Sequence, residues 1–205
     1  MDEGVRALTS ACDFMASAHQ LVGTPPLRRS GNAFAGLGRI IVGQQLSVAS
    51  ANAIWGRLEV LVDPFEAKRF KAKSDEALRG AGLSAGKIRT LRGIAEAIAG
   101  GALDLEGFVE RPEDEVRGEL ISLKGVGPWT TDIYLMFCLG RADAFAAGDL
   151  ALQYAAQDLL ALKEKPDERE LVDIAERWRP WRGVAARMLW AYYRERRNTF
   201  SGVPV

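Results

Sequence analysis

Apolar residues return at helical spacing along almost the whole chain. Val5, Leu8, Cys12 and Met15 form one series, and Val48, Ala51, Ile54, Trp55 and Leu58 form another. Steps of three and four residues put each set on one face of a helix. The period-two alternation of a half-buried strand is hard to find. Boundary chemistry agrees with the periodicity: Ser47 would cap a helix from Val48, Ser84 would cap one that runs to Gly100 and Gly101, and Pro112 suits a first helical turn. Further helices are predicted over residues 128–139, 150–162, 167–178 and 183–197. The connections are "GTPP" (23–26) and "GRADAFAAG" (140–148), with no low-complexity run and no long linker. The expected architecture is all-α, about ten helices without a repeat array.

Bulk properties narrow the function classes. At 205 residues with 48% hydrophobic content, the chain suits one domain over 1–205 or two intimately packed subdomains. Lys+Arg and Asp+Glu are both 27, so no global field draws the chain to a polyanion, and any nucleic-acid binding must be local. The runs "AKRFKAK" (67–73) and "RERR" (194–197) read first as solvated faces. Cys12 and Cys138 are too few for a disulfide framework, a zinc site or a four-cysteine cluster. The longest apolar run, "IYLMFCL", is far short of the roughly 18 residues that span a bilayer, and Met1 is followed by acidic residues instead of a signal-peptide start. A cytoplasmic monomer without membrane contact is expected. His19, the single histidine, falls in the first helical series and is read as structural.

The stretch "ELISLKGVGPW" carries the chemistry. It reads as a helix end, a turn from Leu123 to Gly127, and a second helix entered through Pro128, whose missing N–H costs nothing in a first turn. Glycines at 125 and 127 let the backbone approach a ligand closely, and the following helix adds its positive end. Those are the ingredients of a phosphate site, although a plain helical turn would also use glycine. Asp149 follows Gly148 and precedes "LALQYA", an ordinary N-cap position that also places a carboxylate at a helix start.

The blocks "IIVGQQLSVASANAIWGRL", "GAGLSAGKIRTLRGIAEAI", "LKGVGPWTTDIYLMFCLGRADAFAAGDLAL" and "ERWRPWRGVAARMLW" resemble the helix-hairpin-helix glycosylase superfamily, and within it the 3-methyladenine DNA glycosylase II branch. The resemblance implies a two-lobed helical fold with the hairpin beside the active-site cleft. A central lobe of about residues 31–140 would carry the hairpin at 121–131, and 1–30 with 141–205 would form the second lobe. Carried over, Asp149 is the catalytic carboxylate, and Gly125, Val126, Gly127 and Thr130 form the DNA-backbone hairpin. Gln44, Gln45 and Leu46 fall where the family inserts a side chain into the gap left by a flipped nucleotide. Trp129, Ile133 and Trp190 fall in the base pocket, Trp190 as the ring that stacks on the extruded base. The family's Schiff-base lysine position holds Trp129, which implies a monofunctional enzyme that uses water. No cofactor is implied beyond a monovalent cation, Na+ or K+, held by the carbonyls of Ile121, Leu123 and Val126. Ile133 in place of a tyrosine, Ala146 in place of a common proline, and the lack of an N-terminal β-rich domain depart from the family pattern and bear on substrate range.

The implied reaction suits these residue types. A 3-methyladenine base is cationic and its glycosidic bond is already weakened. One carboxylate can stabilise the oxocarbenium-like sugar and activate water. The partner would be duplex DNA with a damaged base flipped out of the stack. The alternatives are a noncatalytic helix-hairpin-helix DNA-binding protein and a glycosylase for neutral lesions such as hypoxanthine.

Overall fold

The structure is a computed structural model that describes residues 1–31 and 33–201, and it contains no strand among the described residues. The helices are α1 (Asp2–Ala11), α2 (Asp13–Val22), α3 (Phe34–Gly43), α4 (Val48–Leu61), α5 (Ala67–Lys71), α6 (Asp75–Gly80), α7 (Ala85–Ala99), α8 (Glu113–Ser122), α9 (Pro128–Tyr134), α10 (Leu150–Leu159), α11 (Glu168–Ala175) and α12 (Arg182–Ser201). They fall into two compact units, Arg29–Leu139 and Met1–Arg28 with Gly140–Val205.

In the Arg29–Leu139 unit, α3 packs against α4, α7 and α9, and its Phe34, Leu37 and Ile41 are buried. Phe34, Trp55, Phe65 and Phe70 form a ring cluster, with Trp55 and Phe65 centroids 4.6 Å apart. Phe34, Trp55 and Phe70 are buried and Phe65 is half-buried, and each fully buried ring of this kind removes enough apolar surface to contribute about 1.5–3 kcal/mol. The serine caps appear as read: Ser47 accepts the Ser50 N–H and Ser84 accepts the Lys87 N–H. Pro112 stands one position earlier than expected, as the N-cap residue of α8. Arg117 of α8 reaches Asp132 of α9 at 2.5 Å and Glu113 at 3.2 Å, which ties the two hairpin helices together. Asp132 is buried, so removing the Arg117 cation from this buried carboxylate would cost about 3 kcal/mol. Beyond Tyr134 the predicted helix does run on to residue 139, but as a wider π turn over Leu135–Leu139.

In the other unit the single apolar series of the first segment is two helices. Cys12 is extended, at φ −146° and ψ 111°, and breaks the chain between α1 and α2 without moving the apolar residues off their face. His19 therefore belongs to α2, and its Nε2 lies 3.1 Å from the Thr24 hydroxyl. Helix α12 packs against α1, α2 and α10. Helix α10 stops at Leu159, short of the expected 162, because Ala161 turns to φ +51°. Asp167 and Glu170 form a reciprocal capping box at the start of α11, whose end tightens into a 3-10 turn over Glu176–Trp178. Among the described residues no helix is long and apolar enough to cross a membrane.

Candidate functional site

The hairpin is built by two glycines with different duties. Gly125 has φ +88°, and a Cβ there would sit 2.2 Å from the Thr90 hydroxyl oxygen, so both backbone and neighbours demand glycine. Val126 is buried between them and donates its N–H to the Leu123 carbonyl at 3.0 Å. Gly127 is extended, at φ −102° and ψ −179°, and a Cβ would meet nothing within 4 Å. Neither strain nor crowding requires glycine at 127, which leaves open access to its backbone as the physical gain. Among the described residues, the N–H groups of Gly125 and Gly127 have no acceptor within the protein. Pro128 then opens α9, as expected. Amides without a protein acceptor at a helix start have the chemistry to receive an anion.

The loop after α3 is locked to the hairpin. Gln44 Nε2 donates to the Thr130 hydroxyl at 2.8 Å and to the Gly125 carbonyl at 3.3 Å. Both Gln44 and Thr130 thus spend their side chains inside the protein, and Thr130 is buried. Gln45, at φ +56°, and Leu46, 40% exposed, form the tip that remains accessible. Lys87 of α7 holds the loop from beneath, donating from Nζ to the carbonyls of Val42 and Gln44 at 2.8 Å each. Burial lowers the Lys87 pKa. Lys87 was missed by sequence reasoning, and its signal was a cation in a helix's first turn, where the dipole disfavours it. Trp129 and Ile133, four residues apart on α9, share a face and are both half-buried.

Asp149 and Trp190 lie together in the other unit. Asp149 caps α10, its Oδ1 accepting the N–H groups of Ala151 at 3.0 Å and Leu152 at 3.1 Å. The same oxygen accepts the Trp190 indole N–H at 3.0 Å. The ring expected to stack on a base therefore also orients the carboxylate, across 41 positions of sequence. The loop leading to Asp149 is pinned at several points. Asp143 meets Arg179 at 2.5 Å and Arg182 at 2.9 Å, and buried Gln153 donates to the Ala147 carbonyl at 3.0 Å. Such support fixes the approach of a functional side chain better than its own rotamer preferences could. Burial pushes the Cys138 thiol up to about 12, which removes it as a nucleophile. Among the described residues no group of three His, Cys, Asp or Glu side chains gathers.

Helices throughout, a glycine hairpin with exposed amides and a fixed aspartate at a later helix start define a helix-hairpin-helix protein with a candidate catalytic carboxylate. The family model for HhH-GPD superfamily base excision DNA repair proteins matches residues 39–180, and the chain belongs to that family. It is 31% identical over 156 residues to DNA-3-methyladenine glycosylase 1 of Schizosaccharomyces pombe, covering 74% of this chain and 68% of that one. Among solved structures, a 3-methyladenine DNA glycosylase of the same yeast in complex with abasic DNA superposes with TM-score 0.86 at 27% identity, covering 99% of this chain and 100% of that one. A DNA-3-methyladenine glycosidase from Bacillus halodurans gives TM-score 0.80 at 33% identity, covering 93% and 88%.

Proposed function

We propose that this protein is a monofunctional DNA glycosylase of base excision repair. It flips alkylated bases of the 3-methyladenine type out of duplex DNA and hydrolyses the N-glycosidic bond with water. The observation that carries the reading is Asp149, a carboxylate held by three N–H donors on one oxygen at the start of α10. The family and the names of the relatives support the substrate class.

As the C1′–N bond breaks, its electron pair leaves with the base and positive charge develops on the sugar. Asp149 stabilises that charge and accepts a proton from the attacking water. Trp129 carries no amine at the position where lyase-type members hold their lysine, so no Schiff base forms and the product is an intact abasic strand. Aromatic faces select the cationic base: stacking is worth ~1–3 kcal/mol, and a cation over tryptophan adds roughly 0.5–2 kcal/mol. Gly125 and Gly127 present amides to a backbone phosphate, and Gln45 and Leu46 fill the gap left by the flipped nucleotide. The carbonyls of Ile121, Leu123 and Val126 are hard neutral oxygens, and those of Ile121 and Val126 have no N–H donor among the described residues, a donor set suited to Na+ or K+. A cation held there would add positive charge beside the phosphate.

The test is single-turnover base release from duplexes carrying 3-methyladenine, 7-methylguanine or hypoxanthine. The expected result is faster release of the methylated bases, with strands that break only after alkali. Covalent trapping of the protein on its substrate by borohydride, or preference for hypoxanthine, would refute the reading.

A further inference from the structure

The Arg29–Leu139 unit contains a cavity of about 420 Å³ that the hairpin alone does not account for. Its lining brings together Lys87, Arg89 and Thr90 of α7, Lys124 and Gly125 of the hairpin, and Gln45 of the loop after α3. Three of these are cations, and no Asp or Glu lines the cavity. In a chain with 27 positive and 27 negative side chains this is a local excess, and it is not consumed internally. Arg89 and Lys124 are exposed and meet no carboxylate among the described residues, whereas Arg92, one turn further along α7, is paired with Asp75 at 2.7 Å. The Lys87 ammonium has three protons, and two of them point to the Val42 and Gln44 carbonyls. No aromatic side chain lines the cavity, so it is not built to stack a base.

We propose that this cavity is a second backbone-phosphate site, distinct from the Gly125–Gly127 amides, in which Arg89 and Lys124 neutralise a phosphodiester of the bound DNA. The inference rests on the DNA-binding function proposed above. It follows from how phosphate affinity arises: each contact releases condensed counterions, so free cations count and paired ones do not. Lys87 contributes by joining this site to the inserted loop, because the same ammonium lines the cavity and fixes the Gln44 backbone. The cavity adjoins the hairpin through Gly125, so the two phosphate contacts would lie on one continuous surface of this unit.

The experiment is a titration of a duplex carrying a tetrahydrofuran abasic analogue at several salt concentrations between about 50 and 200 mM. Arg89→Ala and Lys124→Ala should each weaken binding roughly five- to tenfold at ~0.1 M salt and reduce the slope of log K against log salt by about 1. Lys163→Ala, a charge removed from the other unit, should leave the slope as in wild type. Gly86→Glu gives an independent variant. A Cβ at Gly86 meets only the Ser84 hydroxyl, at 3.9 Å, and an acid in the first turn of α7 favours the helix. Its melting temperature should hold or rise while DNA affinity falls. Wild-type affinity and slope in all three cavity variants would overturn the second site and leave the glycosylase reading standing. Failure of the wild type to bind DNA would overturn both. Inorganic phosphate binding abolished by the same variants, with the DNA slope unchanged, would assign the cavity to a free anion and refute the DNA contact.

Discussion

Asp149→Asn separates the two duties of one side chain. The asparagine Oδ1 can accept the same three N–H groups, from Ala151, Leu152 and Trp190, so the cap and the indole contact survive. What disappears is the charge. Charge-assisted hydrogen bonds are about twice as strong as neutral ones, but Asn and Asp are nearly equal as N-caps, so the net loss is about 1 kcal/mol. For a chain of this size that lowers the melting temperature by roughly 2–4 °C. Catalysis should suffer far more: without a negative charge facing the sugar or a base for water, excision should fall on the order of 10² to 10⁴-fold, or about 2.7–5.5 kcal/mol of barrier. DNA affinity should hold or rise, because an anion near phosphates has been neutralised. Single-turnover release of 3-methyladenine, a binding titration at fixed salt and a thermal melt measure the three quantities. A folded variant that excises at nearly the wild-type rate would remove Asp149 from the mechanism.

Three further outcomes are expected. Trp190→Phe keeps an aromatic face but removes the indole N–H together with part of the ring, so excision of methylated bases should drop about tenfold with DNA affinity unchanged; equal activity in Phe and wild type would mean that the hydrogen bond to Asp149 positions nothing. Gly125→Ala should cost about 2 kcal/mol or more, from its positive φ and the Thr90 clash, whereas Gly127→Ala should melt like wild type yet bind DNA more weakly; wild-type binding by Gly127→Ala would refute the access argument. The Arg196 and Tyr192 hydrogen bonds hold the Asp158 carboxyl below the usual carboxylate range, so its stabilising effect is in place above about pH 4 and is lost as pH falls through the depressed value. Asp158→Asn should therefore flatten the acid side of a plot of melting temperature against pH, and an unchanged acid limb would show that the pair is not coupled to folding.

Local chemistry was the legible part of the chain. Periodicity found the helices, and Ser47, Ser84 and Asp149 were read as caps from composition and position alone, because a cap bonds within three residues of itself. Cys12 misled because a one-residue break kept Val5, Leu8 and Met15 in phase. The π turn over Leu135–Leu139 left no mark in a uniformly apolar run. The hairpin was legible through spacing, but the split between a Gly125 demanded by Thr90 and a Gly127 demanded by nothing in the protein needs coordinates. The Gln44–Thr130 and Trp190–Asp149 bonds join residues 86 and 41 positions apart, and no local pattern reports such pairs. Lys87 drew no separate reading, since a single sequence does not show that its ammonium ends under two carbonyls.

The bond from Gln44 to the hairpin has a consequence for how lesions are sought. A repair protein meets vast stretches of sound DNA, and a probe deployed at every step would stall it. On the function proposed above, the tip that would probe the stack and the turn that would grip the strand are tied together, because Gln44 bonds to the hairpin and Lys87 bonds to the Val42 and Gln44 carbonyls. Interrogation would then be gated by grip: the tip would reach the stack only where the turn had already seated on the strand, and it would leave with the turn.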